Sequence, residues 1–287
     1  TLPWAERTGK MTLKPHSVVH SIIFDEKLKK ATGVRVVDAN TKEMTEYYAK
    51  VIFLNASALN SNLILLNSKS NRFPNGFGND SGVLGKYIGF HNYRGRVTAE
   101  HDGFHDTTTE GRRPNASYMP RFRNVYKQET DFLRGYAASI SSSKMGVSTE
   151  GLFGEELKEQ LAKPSMEGWS IGAGMLGEVV TKESNFVRLD PNLKDDWGIP
   201  QLRMSVDFDD NDMKMVKDFY EQFTEMFTKA GYTNIKTIDT KRVPGNENHE
   251  MGGIRMGNLS RKPLLPGLKL VSKMLLALRV LLNDDLD

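Results

Sequence analysis

Cysteine is absent from the 287 residues, which excludes disulfides, thiolate metal sites and a thiol nucleophile. Long hydrophobic runs are absent too. No stretch approaches the ~18 apolar residues of a membrane-spanning helix, so no transmembrane segment is expected. Neither sign of charge dominates: 39 Lys+Arg against 36 Asp+Glu leave a formal +3, scattered without a basic block. Nothing in that pattern argues for a nucleic-acid partner. No G-x-S-x-G elbow, Walker loop or G-x-G-x-x-G fingerprint occurs, so the commonest hydrolase and nucleotide signatures are missing. What remains, 38% hydrophobic and 26% charged residues, is the composition of a soluble globular protein, long enough for one large or two modest domains.

The chain opens at Thr1 and enters strand-like sequence almost at once, so it is expected to start downstream of its native N-terminus. Val18, Val19, Ile22, Ile23 and Phe24 form a run of strand type. Asp25 to Thr32 turns, and Gly33 to Asp38 returns as the second arm of a hairpin. Tyr47 to Leu54 ends in four consecutive apolar residues, which predicts a strand covered on both faces. Asn55 to Ala58 is then a turn of small residues, and Leu59 to Asn67 a short apolar helix. Strand, small-residue turn and helix let a backbone approach a phosphate-bearing or flat cofactor closely. Residues 71–89 are rich in Gly, Asn and Ser, and read either as a cofactor-covering loop or, more simply, as a surface connection.

From Tyr93 to about Ser205 short strands alternate with polar turns: 97–99, 136–140, 169–180, 186–189 and 202–208. This predicts a mainly antiparallel sheet and a second domain. After Asp209–Asp212, the residues Met213, Val216, Phe219, Phe223, Met226, Phe227 and Ala230 recur every three or four positions, and Gly231 follows. An acidic start and a glycine stop frame a helix over 212–230 whose Met and Phe stripe is a core face.

Three segments carry candidate chemistry. In Asn248-His249-Glu250-Met251-Gly252-Gly253-Ile254-Arg255-Met256-Gly257, two glycines would let the main chain pass close to a ligand while His249 projects toward it. An imidazole is suited to accept a proton near neutrality. The second segment is the turn and helix over 55–68, and the third is Leu84-Gly85-Lys86-Tyr87-Ile88-Gly89-Phe90-His91. No metal site is predicted. His16 and His20 lie on strand-like sequence where i,i+4 spacing does not converge, and His101 and His105 share a polar loop with Asp102 and Asp106.

Taken in order, these segments resemble the glucose–methanol–choline (GMC) family of flavin-dependent oxidoreductases, closest to its bacterial gluconate, sorbitol and polyol dehydrogenase branch. Ser57, Ala58, Ser61, Ile64, Leu65 and Ser68 match the family signature, whereas Asn62 and Lys69 depart from it. Gly85 to His91 looks like the segment that follows it. Residues 184–200 resemble the substrate-domain stretch before the last long helix, and His249 to Gly257 looks like the family's His-x-x-Gly-(Thr/Gly)-x-Arg-Met-Gly motif. The similarity runs in register to Gly257.

The resemblance implies an α/β fold of α+β character: part of an FAD/NAD(P)-binding-type domain, plus an antiparallel-sheet substrate domain with flanking helices. The expected division is 1–91 for the FAD part, 92–242 for the substrate domain and 243–257 for the return to the FAD part. It further implies FAD as cofactor and an alcohol, sugar or polyol as substrate, with a quinone or an electron-accepting subunit as partner. His249 would be the base that takes the hydroxyl proton as hydride passes to flavin N5. Val19, Ala56, Ser57, Gly252 and Gly253 would line the cofactor. Two departures accompany this. The family's opening G-x-G-x-x-G unit is missing, and so is the second catalytic residue of its closing segment, so the chain reads as an internal fragment, inactive in isolation. Residues 258–287 follow no family pattern. Codons for Ser260 to Leu264 can be chosen so that another frame spells the family's usual continuation, so a frameshift just after Gly257 is expected, with an aberrant tail beyond it. The contrasting expectation is a non-catalytic β-rich module that binds a carbohydrate or partner through Trp169, Trp197, Tyr118 and Tyr136.

Overall fold

A computed structural model describes residues 1–107, 116–146, 149–162, 168–247, 249–255, 269–271 and 277–281. The first helix, α1 (Leu2–Arg7), precedes strands β1 (Ser17–Asp25), β2 (Lys30–Asp38), β3 (Met44–Tyr48) and β4 (Val51–Leu54), then helix α2 (Ser57–Asn67). Strands β5 (Lys86–Gly89), β6 (His91–Asn92), β7 (Gly95–His101), β8 (Ser117–Met119) and β9 (Tyr136–Lys144) follow. Helix α3 (Gly154–Ala162) leads to β10 (Trp169–Glu178), β11 (Phe186–Lys194), β12 (Pro200–Ser205) and helix α4 (Asp210–Lys229). The described strands end with β13 (Thr233–Asp239), β14 (Met251–Gly253), β15 (Lys269–Val271) and β16 (Ala277–Leu281). Helices and several antiparallel sheets together make the mixed α/β architecture expected. Most of the tail over 258–287 lies outside the described residues.

The chain divides into two compact units: residues 1–88, 181–206 and 250–287 form the first, and residues 89–180 and 207–249 the second. In the first unit β1, β2 and β3 make an antiparallel meander. Its turns follow from two aspartates. Asp25 accepts the amides of Lys27 and Leu28, and Asp38 those of Asn40 and Thr41, so each carboxylate closes a reversal that the β-branched flanks cannot make alone. A second sheet has the order β12-β11-β5-β14, and β4 pairs with β16. The apolar run of β4 is not covered on both faces: Ile52 and Leu54 are buried while Val51 and Phe53 are exposed. Its four apolar residues alternate like any half-buried strand.

Helix α2 is tied to β1 by two side chains at its end: the Asn67 carboxamide donates to the His20 carbonyl at 3.0 Å, and the Ser68 hydroxyl makes a second link. Ser68 Oγ accepts the Ile22 amide at 2.7 Å and donates to the Ile64 carbonyl at 2.6 Å. Ile22, Ile64, Leu65, Phe73, Phe77, Leu84 and Ile254 then pack as one core. Residues 71–85 are therefore no plain surface connection. Phe73 and Phe77 are buried and meet Phe24 at ring-centroid distances of 4.9 and 5.9 Å.

In the second unit six antiparallel strands run in the order β13-β7-β10-β9-β8, with β6 also on β10. Helix α4 lies across them. Its Met215, Val216, Phe219, Phe223 and Phe227 meet Val97, Ala99, Tyr136, Ala138, Ala173 and Met175 of the sheet. Asp209 and Asp212 close a reciprocal capping box at its start. At its end Gly231 takes φ +82°, and Tyr232 and Gly231 donate to the Phe227 and Thr228 carbonyls, a Schellman closure. Met213, at the edge of the predicted stripe, is exposed, and Met215 takes the core position.

Candidate functional site

His249 is the last residue of the second unit, and three side chains of that unit gather on it. Its imidazole is 52% exposed, whereas the Glu247 side chain is only 6% exposed. Glu247 Oε2 accepts the backbone amide of His249 at 2.9 Å, and Oε1 accepts the backbone amide of His91 at 3.1 Å. One buried carboxylate thus ties together two segments more than 150 positions apart in sequence. Tyr93 Oη lies 3.3 Å from His249 Nδ1. The His91 ring stands edge-on to both, with centroids 5.2 Å from His249 and 5.6 Å from Tyr93. Burial raises the Tyr93 phenol above its ordinary range, the negative charge of Glu247 adds to that, and Arg242 opposes it. The phenol is therefore a neutral hydroxyl at physiological pH.

In the first unit, Gly252 and Gly253 adopt φ +90° and +76°. Both need glycine for a second reason. A Cβ on Gly252 would overlap the Tyr87 carbonyl, and one on Gly253 would overlap the Asn62 carboxamide. Asn62 is fully buried and donates to the Ala58 carbonyl at 2.8 Å and the Gly252 carbonyl at 3.2 Å, while the Gly85 amide donates to Gly253 at 2.8 Å. The double glycine is wedged between α2 and β5, so protein atoms occupy these sides of it. Ala56 and Val19 are half-buried against the core of this unit. Ser57 opens α2 at φ +62°, a left-handed conformation that costs a non-glycine residue about 1 kcal/mol or more. Ala56 stands at the N-cap, so the start of α2 carries no side-chain cap from its N-cap residue. Ser61 Oγ and Asn62 Oδ1 are also buried there without a hydrogen-bond partner among the described residues.

The other sequence candidates do not assemble. Among the described residues no three His, Asp or Glu converge as a metal site; His105 pairs with Asp102 at 2.9 Å. Of the four aromatics of the carbohydrate-module expectation, one is buried and another belongs to the other unit. Tyr136 is core, 1% exposed, with its hydroxyl on Asp218 at 2.6 Å. Trp197 belongs to the first unit and donates to the Ala39 carbonyl, while Tyr118 and Trp169 lie in the second. A fully buried ring cannot stack on a sugar. Met256 and Gly257 of the His motif lie outside the described residues.

Tyr93 and Glu247 are not singled out by sequence, and His91 is marked there only as the end of the third candidate segment, without a role. The local signals for the other two are the position of Glu247 two residues before His249 and that of Tyr93 two residues after His91. No family model matches the chain. It is 27% identical to a 2-methyl-1,2-propanediol dehydrogenase of Mycolicibacterium austroafricanum, over 86% of this chain and 45% of that protein. It is 25% identical to a fructose dehydrogenase large subunit of Gluconobacter japonicus, over 88% of this chain and 45% of that protein. The chain spans about half the length of these curated relatives.

Proposed function

We propose that this chain forms part of a flavin-dependent oxidoreductase of the GMC type, oxidising the CH–OH group of a small alcohol, sugar or polyol, with His249 as its base. The carrying observation is a half-exposed imidazole with Nδ1 beside Tyr93 and Glu247, while Nε2 has no hydrogen bond among the described residues. Both relatives are dehydrogenases by name, one named for a diol and one for a sugar. FAD, when bound, supplies the acceptor for the hydrogen that leaves the carbinol carbon as hydride. His249 takes the hydroxyl proton. An alkoxide releases hydride far more readily than an alcohol, and such a positioned base contributes typically 10²–10⁴-fold. Val19, Ala56, Ser57, Gly252 and Gly253 are the residues assigned to hold the cofactor, the last two through their backbone edges. Electrons leave to a quinone or to a partner subunit.

The test is dye-linked oxidation of a panel of alcohols, sugars and polyols by the full-length protein carrying this sequence. His249→Asn should lower kcat by about 10²-fold or more with the flavin band unchanged. A loss under about threefold would remove His249 from the chemistry, and a flavin-loaded protein that oxidises none of the panel would remove the substrate class. The 287-residue chain alone, without a G-x-G-x-x-G unit, is expected to hold no tight flavin. A stoichiometric visible flavin band would refute that expectation.

A further inference from the structure

We propose that Glu247 and Tyr93 are positioning residues that hold the neutral His249 ring with its proton on Nδ1, so that Nε2 is the basic nitrogen. The inference rests on the reading of His249 as a base and specifies which of its nitrogens acts.

A neutral imidazole carries one N–H, and the hydrogen bond made by one nitrogen decides the role of the other. Here Nδ1 has two oxygen neighbours, Tyr93 Oη at 3.3 Å and Glu247 Oε2 at 3.9 Å. The carboxylate is too far to accept a hydrogen bond directly, but its charge acts on the near edge of the ring. With the proton on Nδ1, the positive end of the ring dipole faces that charge, and the N–H has the Tyr93 oxygen to donate to. With the proton on Nε2, the Nδ1 lone pair would face the carboxylate instead. Tyr93 could still donate to that lone pair, so the phenol alone does not choose, and the nearby negative charge does.

The carboxylate is well held for this task. Both oxygens accept backbone amides, those of His91 and His249, and its side chain is nearly buried. A charge in that setting is screened by water far less than a surface one. The same two hydrogen bonds fix the backbone at positions 91 and 249, and the edge-on ring contact between the two histidines accompanies them.

The experiment is long-range ¹H–¹⁵N correlation on the 287-residue chain with labelled histidines, six in all. It is run above the pH at which imidazole protonates and assigned with His249→Gln. Wild type should show His249 mainly as the Nδ1–H tautomer. Glu247→Gln, which keeps the shape and removes the charge, should move the population toward Nε2–H. Tyr93→Phe should move it less, and provides the test if Glu247→Gln fails to fold. In the full-length protein Glu247→Gln should lower kcat about tenfold or more while KM holds within about twofold. A wild-type His249 mainly in the Nε2–H form would overturn the proposal. So would a folded Glu247→Gln chain with unchanged tautomer populations. The two readings fail separately: an Nε2–H ring in a protein inactivated by His249→Asn sinks this inference alone, and an Nδ1–H ring in a protein indifferent to His249→Asn sinks the catalytic reading.

Discussion

Replacing Gly252 by alanine tests whether the motif glycine is required by this chain's own packing. At φ +90° an alanine pays for a left-handed conformation, about 1–2 kcal/mol. Its methyl would also overlap the Tyr87 carbonyl, a backbone atom of β5 that cannot swing aside. Overpacking of that kind costs about 1–3 kcal/mol. The sum, roughly 2–5 kcal/mol, corresponds to a fall in Tm on the order of 5–15 °C for a protein of this size. Gly82→Ala isolates the first contribution, because Gly82 has φ +70° and nothing within 4 Å of its added methyl. That variant should lose only about 2–5 °C. Both melts are read by circular dichroism or differential scanning fluorimetry on the 287-residue chain. Equal losses in the two variants would refute the argument, since they would leave the Tyr87 contact without weight.

Ser68→Ala removes the partner of the buried Ile22 amide and should cost about 1–3 kcal/mol in urea unfolding, although the side chain is small. Phe219→Ala, at the centre of the core of the second unit, should cost about 3–5 kcal/mol and leave a cavity lined by Tyr136 and Phe223. His20 gives a pH signature. Burial first, and the Arg35 charge second, lower its pKa, with Asp195 opposing. The unfolded chain therefore binds a proton more readily, so the stability from the neutral ring is whole above the ordinary imidazole range, about 6.5, and is lost as pH falls through the lowered folded value. The urea midpoint of wild type should accordingly drop faster than that of His20→Gln below about pH 6.5, and parallel curves would contradict the shift.

Helix α4 was legible because every signal for it is local: a three-to-four-residue apolar period, an acidic start and a glycine stop. The strand-forming runs of β1, β7, β9 and β10 were legible for the same reason. Strands β11 and β12 show where local reading stops, since nothing in 186–205 says which sheet the hairpin joins. They share a sheet with β5 and β14 of the first unit. The run at β4 misled because four apolar residues say nothing of what covers each face, and Val51 and Phe53 face outward. Residues 71–85 hid their role because glycine and asparagine outnumber the three residues, Phe73, Phe77 and Leu84, that anchor them. At the candidate site His249 was conspicuous through its glycines, but its partners His91 and Tyr93 are brought to it only by tertiary folding across 156 or more positions. Glu247 sits two residues away and was still unreadable, because an acidic residue in a polar segment gives no sign that its side chain is buried.

Asn62 shows what a departure from a family pattern means physically. By sequence it was a mismatch inside an otherwise matching helix. In the fold it is fully buried, its amide reaching back one turn to Ala58 and across to Gly252, and its side chain fills the space that a Cβ on Gly253 would need. A larger residue at 253 would displace the carboxamide and with it the bond to Gly252. A smaller residue at 62 would leave the Gly252 carbonyl without its donor and open a void beside the turn, a combination that costs more than either loss alone. The two positions are therefore one structural choice. The packing against Asn62 and Tyr87 is by itself enough to require glycine at both positions, and a cofactor could meet Gly252 and Gly253 only along the backbone edges that these two residues leave open.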